Sequence, residues 1–226
     1  MTATTGPSGM SVPTPDGIRP MITADVPAVV AVHLKSFPGF FLTFLGSSFL
    51  HELYSAILVD RDGIALVAGD KSGIIGFVAG TTQPKGFYRR LLQQRWWRFA
   101  LASTVPALKR PAIIPRLLRA FAMPEQVTRQ DKRGTLMSIA VLPSYQGRHI
   151  GHALVNAFLE EALRRGLHQV DLTTDRDDNT AANRFYQKMG FVCERSYETP
   201  EGRAMNEYVI ELLAGATSPD DSISSH

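Results

Sequence analysis

The sequence has a single cysteine, Cys193, so no intrachain disulfide can form. The chain therefore reads as one that folds in a reducing compartment, with the cytoplasm as the expected location. No apolar run reaches the roughly 18 residues that a spanning helix needs. Met1 opens a polar stretch, not a basic one followed by an apolar one, so no secretory signal is expected. Acidic residues are missing altogether between Asp70 and Glu125, where ten Lys and Arg fall, from Lys71 to Arg119. A local basic block of this kind says more about partners than the overall net charge of +3.

What is present is ordinary for a globular protein. With 44% hydrophobic and 20% charged residues, a chain of 226 residues buries a sizeable core without staples. The length suits one domain, or one domain with an insertion. Residues 1–17 and 214–226 are rich in Thr, Ser, Pro and Gly and have little to bury; both are read as flexible tails.

Between the tails, Ile18 to Met21 reads as a short strand. Thr23 is placed to cap a helix that runs to the break at Pro38-Gly39, and a second helix is expected over about Leu42 to Leu58. Gly63 to Ala68 and Gly73 to Thr81 read as paired strands. An insertion at about 83–129 interrupts the pattern. It opens with an amphipathic stretch, Phe87 to Ser103, and Pro106, Pro111 and Pro115 keep later helices short. From Gly134 the order becomes strand, helix (Gly151 to Arg165), strand (Gln169 to Thr174), helix (Asn179 to Met189), strand (Phe191 to Tyr197) and strand (Ala204 to Leu212). That alternation predicts an α/β or α+β fold with helices packed on a sheet.

Two stretches carry chemistry. In LMSIAVLPSYQGRHIGHALVNAFLEEAL, Leu136 to Leu163, a buried strand is stopped by Pro143, and a turn holding Gly147 and Gly151 opens a helix. The first N–H groups of a helix lack internal partners and the helix dipole adds partial positive charge, so this arrangement suits an anion. In NTAANRFYQKMGF, Asn179 to Phe191, Asn179, Asn183 and Tyr186 fall on or near one helix face, and Gly190 stands where a helix would end.

The ordered pair resembles the acetyl-CoA-binding motifs of the GNAT superfamily of N-acetyltransferases: a Q/R-x-x-G-x-G/A turn after a strand like IAVLP, then an N-x-x-A-x-x-x-Y-x-x-x-G-F helix. The resemblance implies a mixed, twisted sheet with helices on both faces, splayed between the strands at about Leu136–Leu142 and Gln169–Thr174. It implies acetyl-CoA as co-substrate, direct transfer to an amine acceptor and no metal. Ile139 and Val141 match the strand that pairs with the pantetheine arm, with the Ile139 N–H as a donor to the thioester carbonyl. Gln146, Gly147, Arg148, His149, Gly151 and His152 match the pyrophosphate turn. Asn179 matches a cofactor contact, and Tyr186 matches the phenol that protonates the departing thiolate.

Two positions depart from the pattern. His149 replaces the first motif glycine, which is costly if the residue needs φ > 0. Met137 and Ser138 stand where relatives often place a carboxylate base, so the base is unassigned. Among other residues, His33 is read as packing, Glu52 as a solvated helix residue, and Asp175 equally as acceptor contact or turn residue. Glu198, Glu201 and Arg203 are read as exposed by default, and Cys193 as core. The Phe-rich run from Phe37 to Leu45 is either a lid or a wall of the acceptor site. The basic insertion suits an acidic ligand, a membrane surface or a homodimer interface. Nucleic acid is not an expected partner, because no recognised module accompanies the charge.

Overall fold

The computed structural model describes residues 17–39, 41–87, 90, 132–200 and 202–212. Both tails, and the basic insertion apart from its first residues and Arg90, lie outside these. In chain order the elements are β1 (Ile18–Pro20), a 3-10 turn (Thr23–Asp25), α1 (Val26–Ser36), α2 (Phe41–Phe44), α3 (Gly46–Val59), β2 (Gly63–Asp70) and β3 (Gly73–Thr81). There follow β4 (Arg133–Val141), a 3-10 turn (Pro143–Tyr145), α4 (Ile150–Arg164), β5 (Gln169–Asp175), α5 (Thr180–Lys188), β6 (Val192–Glu198) and β7 (Ala204–Glu211).

The start of α1 is not capped by Thr23 as expected. The Asp25 carboxylate instead closes the 3-10 turn ahead of α1: it accepts the Ile22 N–H at 2.9 Å and both ends of the Arg19 guanidinium at 2.6 and 2.8 Å. The Arg19 bonds are charge-assisted, and they hold Asp25 below the usual carboxylate range. The expected single helix after Pro38-Gly39 is two pieces. Leu45, 1% exposed, separates them by turning its side chain into the core.

The seven strands form one mixed sheet in the order β1-β2-β3-β4-β5-β7-β6. Helices cover both faces. On one, α1 and α3 pack Val29, Val30, Phe49, Leu50 and Ile57 against Val67, Phe77, Ala79 and Ala140. On the other, α4 and α5 pack Leu154, Val155, Phe158 and Tyr186 against Leu66, Val78, Leu136 and Leu172. A strand covered on both sides has no polar face, which is why β3 is apolar almost throughout.

The sheet is split. β4 and β5 run parallel but pair only through Arg133↔Gln169, Gly134↔Val170 and Thr135↔Asp171. Beyond that rung β4 stays with β3 and β5 stays with β7, so Leu136–Val141 and Leu172–Asp175 diverge. The register of β3 with β4 sets Leu136 opposite Gly80 and Ser138 opposite Ala79, which leaves Met137 as the extra residue of a β-bulge. A bulge bends its strand, here at the point where the split opens. Among the described residues no helix is long and apolar enough to cross a membrane, and no cluster of His, Cys, Asp and Glu has metal-binding geometry.

Candidate active site

The split offers unpaired main chain. The Leu142 N–H donates to the Ile75 carbonyl of β3 at 2.9 Å. By strand alternation, the main-chain groups of Val141 and Ile139 face the other way, into the gap beside β5. One of them is partly engaged, since the Ser36 hydroxyl at the end of α1 donates to the Val141 carbonyl at 3.2 Å. A carbonyl has a second lone pair, so that bond does not block another donor.

At the end of β4 the chain turns through Pro143–Tyr145 into α4. The first bond of the helix runs from the Ala153 N–H to the His149 carbonyl at 3.0 Å. The N–H groups from Gly147 to His152 make no backbone hydrogen bond among the described residues. Gly147 has φ +77°, and no atom lies within 4 Å of where its Cβ would be. An added Cβ at Gly151 would stand 3.5 Å from the Phe185 ring, an ordinary contact, so packing alone does not demand glycine there. A run of unbonded donors, open space and a helix N-terminus fit a pyrophosphate.

His149 is the N-cap of α4 and adopts the left-handed conformation, φ 59° and ψ 8°. The departure from glycine therefore carries the backbone cost that positive φ imposes on a side chain. Its ring lies 5.4 Å from that of His152, which in turn meets the edge of Phe185 at 5.0 Å. The Arg148 guanidinium covers the Tyr145 ring, 4.9 Å from its centroid. The Tyr145 hydroxyl meets the Ser72 hydroxyl at 3.1 Å, and Ser72 donates to Asp70. Donation from the Ser72 hydroxyl and the Ser72 N–H, with smaller contributions from Tyr145 and Arg148, holds Asp70 below its usual range. The turn is thus tied to the β2–β3 hairpin, a link that nothing in the local sequence announces.

The second motif is anchored to the far side of the split. The Asn179 side chain donates to the Thr174 hydroxyl at 2.7 Å. Asn183 makes four bonds: its amide donates to the carbonyls of Asp175 and Asn179 at 2.9 and 2.8 Å, and its oxygen accepts from Asn206 and Tyr208, each at 2.9 Å. Asn183 therefore fastens α5 to β5 and β7, a role the sequence reading did not give it. The Tyr186 ring is buried beside Phe191 and Tyr208, with centroids at 5.8 and 6.2 Å. Burial pushes its phenol up to about pKa 12. Its hydroxyl makes no hydrogen bond among the described residues and is not fully enclosed. Ile139 and Val141 pack against the same core cluster as Tyr186.

On the opposite face, three side chains from distant segments join. His33 Nδ1 and the Tyr54 hydroxyl are 2.7 Å apart, and the Tyr54 hydroxyl is 3.1 Å from Ser138 Oγ. His33 is buried as expected, but it is also hydrogen-bonded toward β4. Glu52 is half-buried on α3.

Asp175 and Arg203 form a bidentate ion pair, at 2.6 and 2.8 Å, that pins the β6–β7 hairpin to the end of β5. Both side chains are thus engaged within the protein, and Arg203 is not simply a solvated loop residue. Cys193, expected in the core, is exposed. It lies on β6, the edge strand, whose outer residues have no covering helix among the described elements.

The sequence of residues 32–191, more than half of the chain, matches the family described as "Acetyltransferase (GNAT) family". The chain is 33% identical over 90 residues to the [Ribosomal protein bS18]-alanine N-acetyltransferase of Escherichia coli (strain K12), a match covering 38% of this chain and 58% of that protein. It thus spans a little over half the length of that curated relative. Among solved structures, an acetyltransferase of the GNAT family from Streptococcus pneumoniae superposes with a TM-score of 0.55 at 20% identity, over 87% of this chain and 98% of that one. The yncA protein of Salmonella typhimurium, solved with its cofactor acetyl-CoA, gives 0.56 at 15% identity, over 91% and 98%. At such identities the structural likeness establishes the fold alone. The chain belongs to the GNAT acetyltransferase family, whose members use acetyl-CoA.

Proposed function

Starting from membership of that family, we propose that the chain is an acetyl-CoA-dependent N-acetyltransferase that moves an acetyl group directly to a primary amine. One observation carries the reading: the sheet parts above Thr135 and Asp171, and the unbonded N–H groups from Gly147 to His152 follow the end of the β4 segment that has left β5. Acetyl-CoA supplies the acetyl group activated as a thioester. In this reading the main chain of Ile139 and Val141 holds the pantetheine arm. The turn residues Gln146, Gly147, Arg148, His149, Gly151 and His152 hold the pyrophosphate, and Asn179 adds a contact. The Ile139 N–H donates to the carbonyl oxygen as charge grows there. Tyr186 gives its proton to the sulfur as the carbon–sulfur bond breaks. A pKa of about 12 keeps it protonated at neutral pH, and its hydroxyl has no competing partner among the described residues.

The acceptor is read first as a small primary amine, an amino sugar among the candidates. Two features support an enclosed site. Phe37 packs on buried His33 at 4.8 Å, and the β6–β7 hairpin is closed by the Thr199–Arg203 bond and pinned by Asp175. A protein N-terminus or lysine is the second reading, and the Escherichia coli relative named for an alanine of ribosomal protein bS18 favours a protein acceptor.

Release of CoA from acetyl-CoA, measured with glucosamine, free lysine, a peptide beginning with alanine and the same peptide N-acetylated, separates these readings. Release with glucosamine alone supports the first, and release with the free but not the blocked peptide supports the second. Acetyl-CoA binding without release to any amine would make the chain a non-catalytic acyl-CoA-binding protein. With the productive acceptor, Tyr186→Phe should lower kcat at least about tenfold while KM for acetyl-CoA stays within about twofold. Full turnover by purified Tyr186→Phe across the pH range would remove Tyr186 from its role.

A further inference from the structure

The chain from His33 through Tyr54 to Ser138 has a direction, and hydrogen counting at His33 sets its first link. The His33 ring lies among Phe37, Tyr54 and Phe77, none of them charged, with centroids at 4.8, 5.8 and 6.5 Å. It is 2% exposed, and its Nε2 is buried with no hydrogen-bond partner among the described residues. Burial lowers its pKa to about 4, so the imidazole is neutral and carries one N–H. A hydrogen on Nε2 would be a buried donor with nothing to bond. A hydrogen on Nδ1 donates to the Tyr54 oxygen 2.7 Å away and leaves only a lone pair at Nε2. Orphaned buried N–H groups are the rarer and costlier of the two.

With Nδ1–H donating, the Tyr54 oxygen is an acceptor on that side and keeps its own hydrogen to donate, with Ser138 Oγ 3.1 Å away. When that hydrogen goes to Ser138, Ser138 accepts from Tyr54 and cannot donate back to it. No other hydrogen-bond partner of the Ser138 hydroxyl exists among the described residues, and Ser138 is only half-buried. Its side chain shares the α1/α3 face with Ala79 and Ala140, opposite α4. It stands next to Ile139 on the stretch of β4 that has left β5.

We propose that His33 and Tyr54 orient the Ser138 hydroxyl so that Ser138 donates its hydrogen into the mouth of the split, to the acyl carbonyl oxygen, beside the Ile139 N–H. The proposal rests on the acetyltransferase reading above. Ser138 is the catalytic residue of the three because it touches the reacting group; His33 and Tyr54 are positioning residues. No bond to Ser138 is made or broken. Its O–H stabilises the charge that reaches the carbonyl oxygen when the amine nitrogen bonds to the carbonyl carbon, and that charge returns as the carbon–sulfur bond breaks. The same chain explains why a weakly basic, buried histidine sits so near the centre. It serves as a fixed donor, a role that needs no protonation change, and it leaves removal of the amine proton to solvent.

Two measurements test this, and they fail separately. Long-range 1H–15N correlation of the free, full-length protein at neutral pH should show His33 with a hydrogen on Nδ1 and none on Nε2. In Tyr54→Phe the His33 nitrogen shifts should move, while other histidines stay in place. A hydrogen on Nε2 overturns the proposal outright, whatever the activity.

The kinetic arm follows CoA release from acetyl-CoA, with water and with the amines above as acceptors. Ser138→Ala should lower kcat by about 100-fold, the low end of what one oxyanion donor contributes, with KM for acetyl-CoA within about twofold. Tyr54→Phe should lower kcat by a smaller factor, and the double variant should be no slower than Ser138→Ala. Ser138→Thr, which keeps the hydroxyl, should restore most of the rate. Independent losses that multiply in the double variant, or an unchanged kcat in folded Ser138→Ala, overturn the catalytic role. Wild type with the expected tautomer but no release to any acceptor overturns the acetyltransferase reading and, with it, the role of Ser138. Thermal unfolding of each variant separates loss of the donor from loss of the fold.

Discussion

The two halves of the sheet solve the same problem in opposite ways. On the α1/α3 face, the half made of β2, β3 and the end of β4 is apolar: Val67, Phe77, Ala79 and Ala140 lie under the helices. Its polar contribution at the site is the neutral His33–Tyr54–Ser138 chain. On the same face, the half beginning at Thr135 and running through β5, β7 and β6 is ionic. The Arg133 side chain, 5% exposed, forks onto Glu194 at 2.8 and 2.9 Å and bonds Gln169 at 2.8 Å. Thr135 donates to buried Asp171 at 2.6 Å, across the last rung before the split. Arg195 meets buried Glu207 at 2.6 Å. The apolar half excludes water by volume. The ionic half holds its strands through directional bonds. The split lies on the seam between them, so each wall is fixed by a different kind of force.

That contrast breaks most visibly under substitution of Arg133. Arg133→Met should cost about 3–5 kcal/mol in urea unfolding, because it removes one partner of a buried ion pair. Changing Arg133 and Asp171 together to Met and Leu should recover much of the loss. Phe77→Ala in the other half should cost a similar amount through its cavity, with no comparable rescue from removing a polar partner. If Arg133→Met proved nearly neutral, the ionic half would not be held by these pairs.

Acid sharpens the comparison next. The ordinary value for His33 is 6.5, and the folded value is about 4. Between the two, the unfolded chain binds the extra proton and the folded chain does not, so stability rises with pH through that window. The contribution is complete above about pH 6.5 and is lost as pH falls toward 4, by at most about 3 kcal/mol. His33→Gln should flatten this limb in thermal melts recorded from pH 7 to 4. An unchanged limb would mean that the histidine is not held neutral by the apolar half.

The smallest effect belongs to the rim of the ionic half. The Arg203 and Asp175 side chains are 41% and 25% exposed. Arg203→Ala should therefore cost under about 1 kcal/mol, and less in high salt. A loss as large as that of Arg133→Met would show that the hairpin, and not the Arg133 cluster, holds the second wall.

The sequence was most readable where structure is local. The strand over Gly134 to Leu142 and the helix from Gly151 were placed within a residue or so, because apolar periodicity and the stop at Pro143 act over neighbouring positions. Asn179, Asn183 and Tyr186 were placed on one helix face for the same reason, yet only the fold gives Asn183 its four partners. Thr23 misled because a local cap rule does not foresee the 3-10 turn that Arg19 and Asp25 close ahead of α1. Cys193 misled because an apolar strand end says nothing about whether the strand lies in the middle or at the edge of the sheet.

By itself the sequence determined the order of elements, the two motif stretches and the family they resemble, since these depend on spacing along the chain. Tertiary structure alone decided where the sheet parts, since that depends on a bulge at Met137 and on pairing that stops at Thr135 and Asp171. It also joined Tyr54 to Ser138, 84 residues apart, and Arg133 to Glu194, 61 apart. Hydrogen bonds reach about 3 Å through space and leave no periodic trace in the chain that makes them.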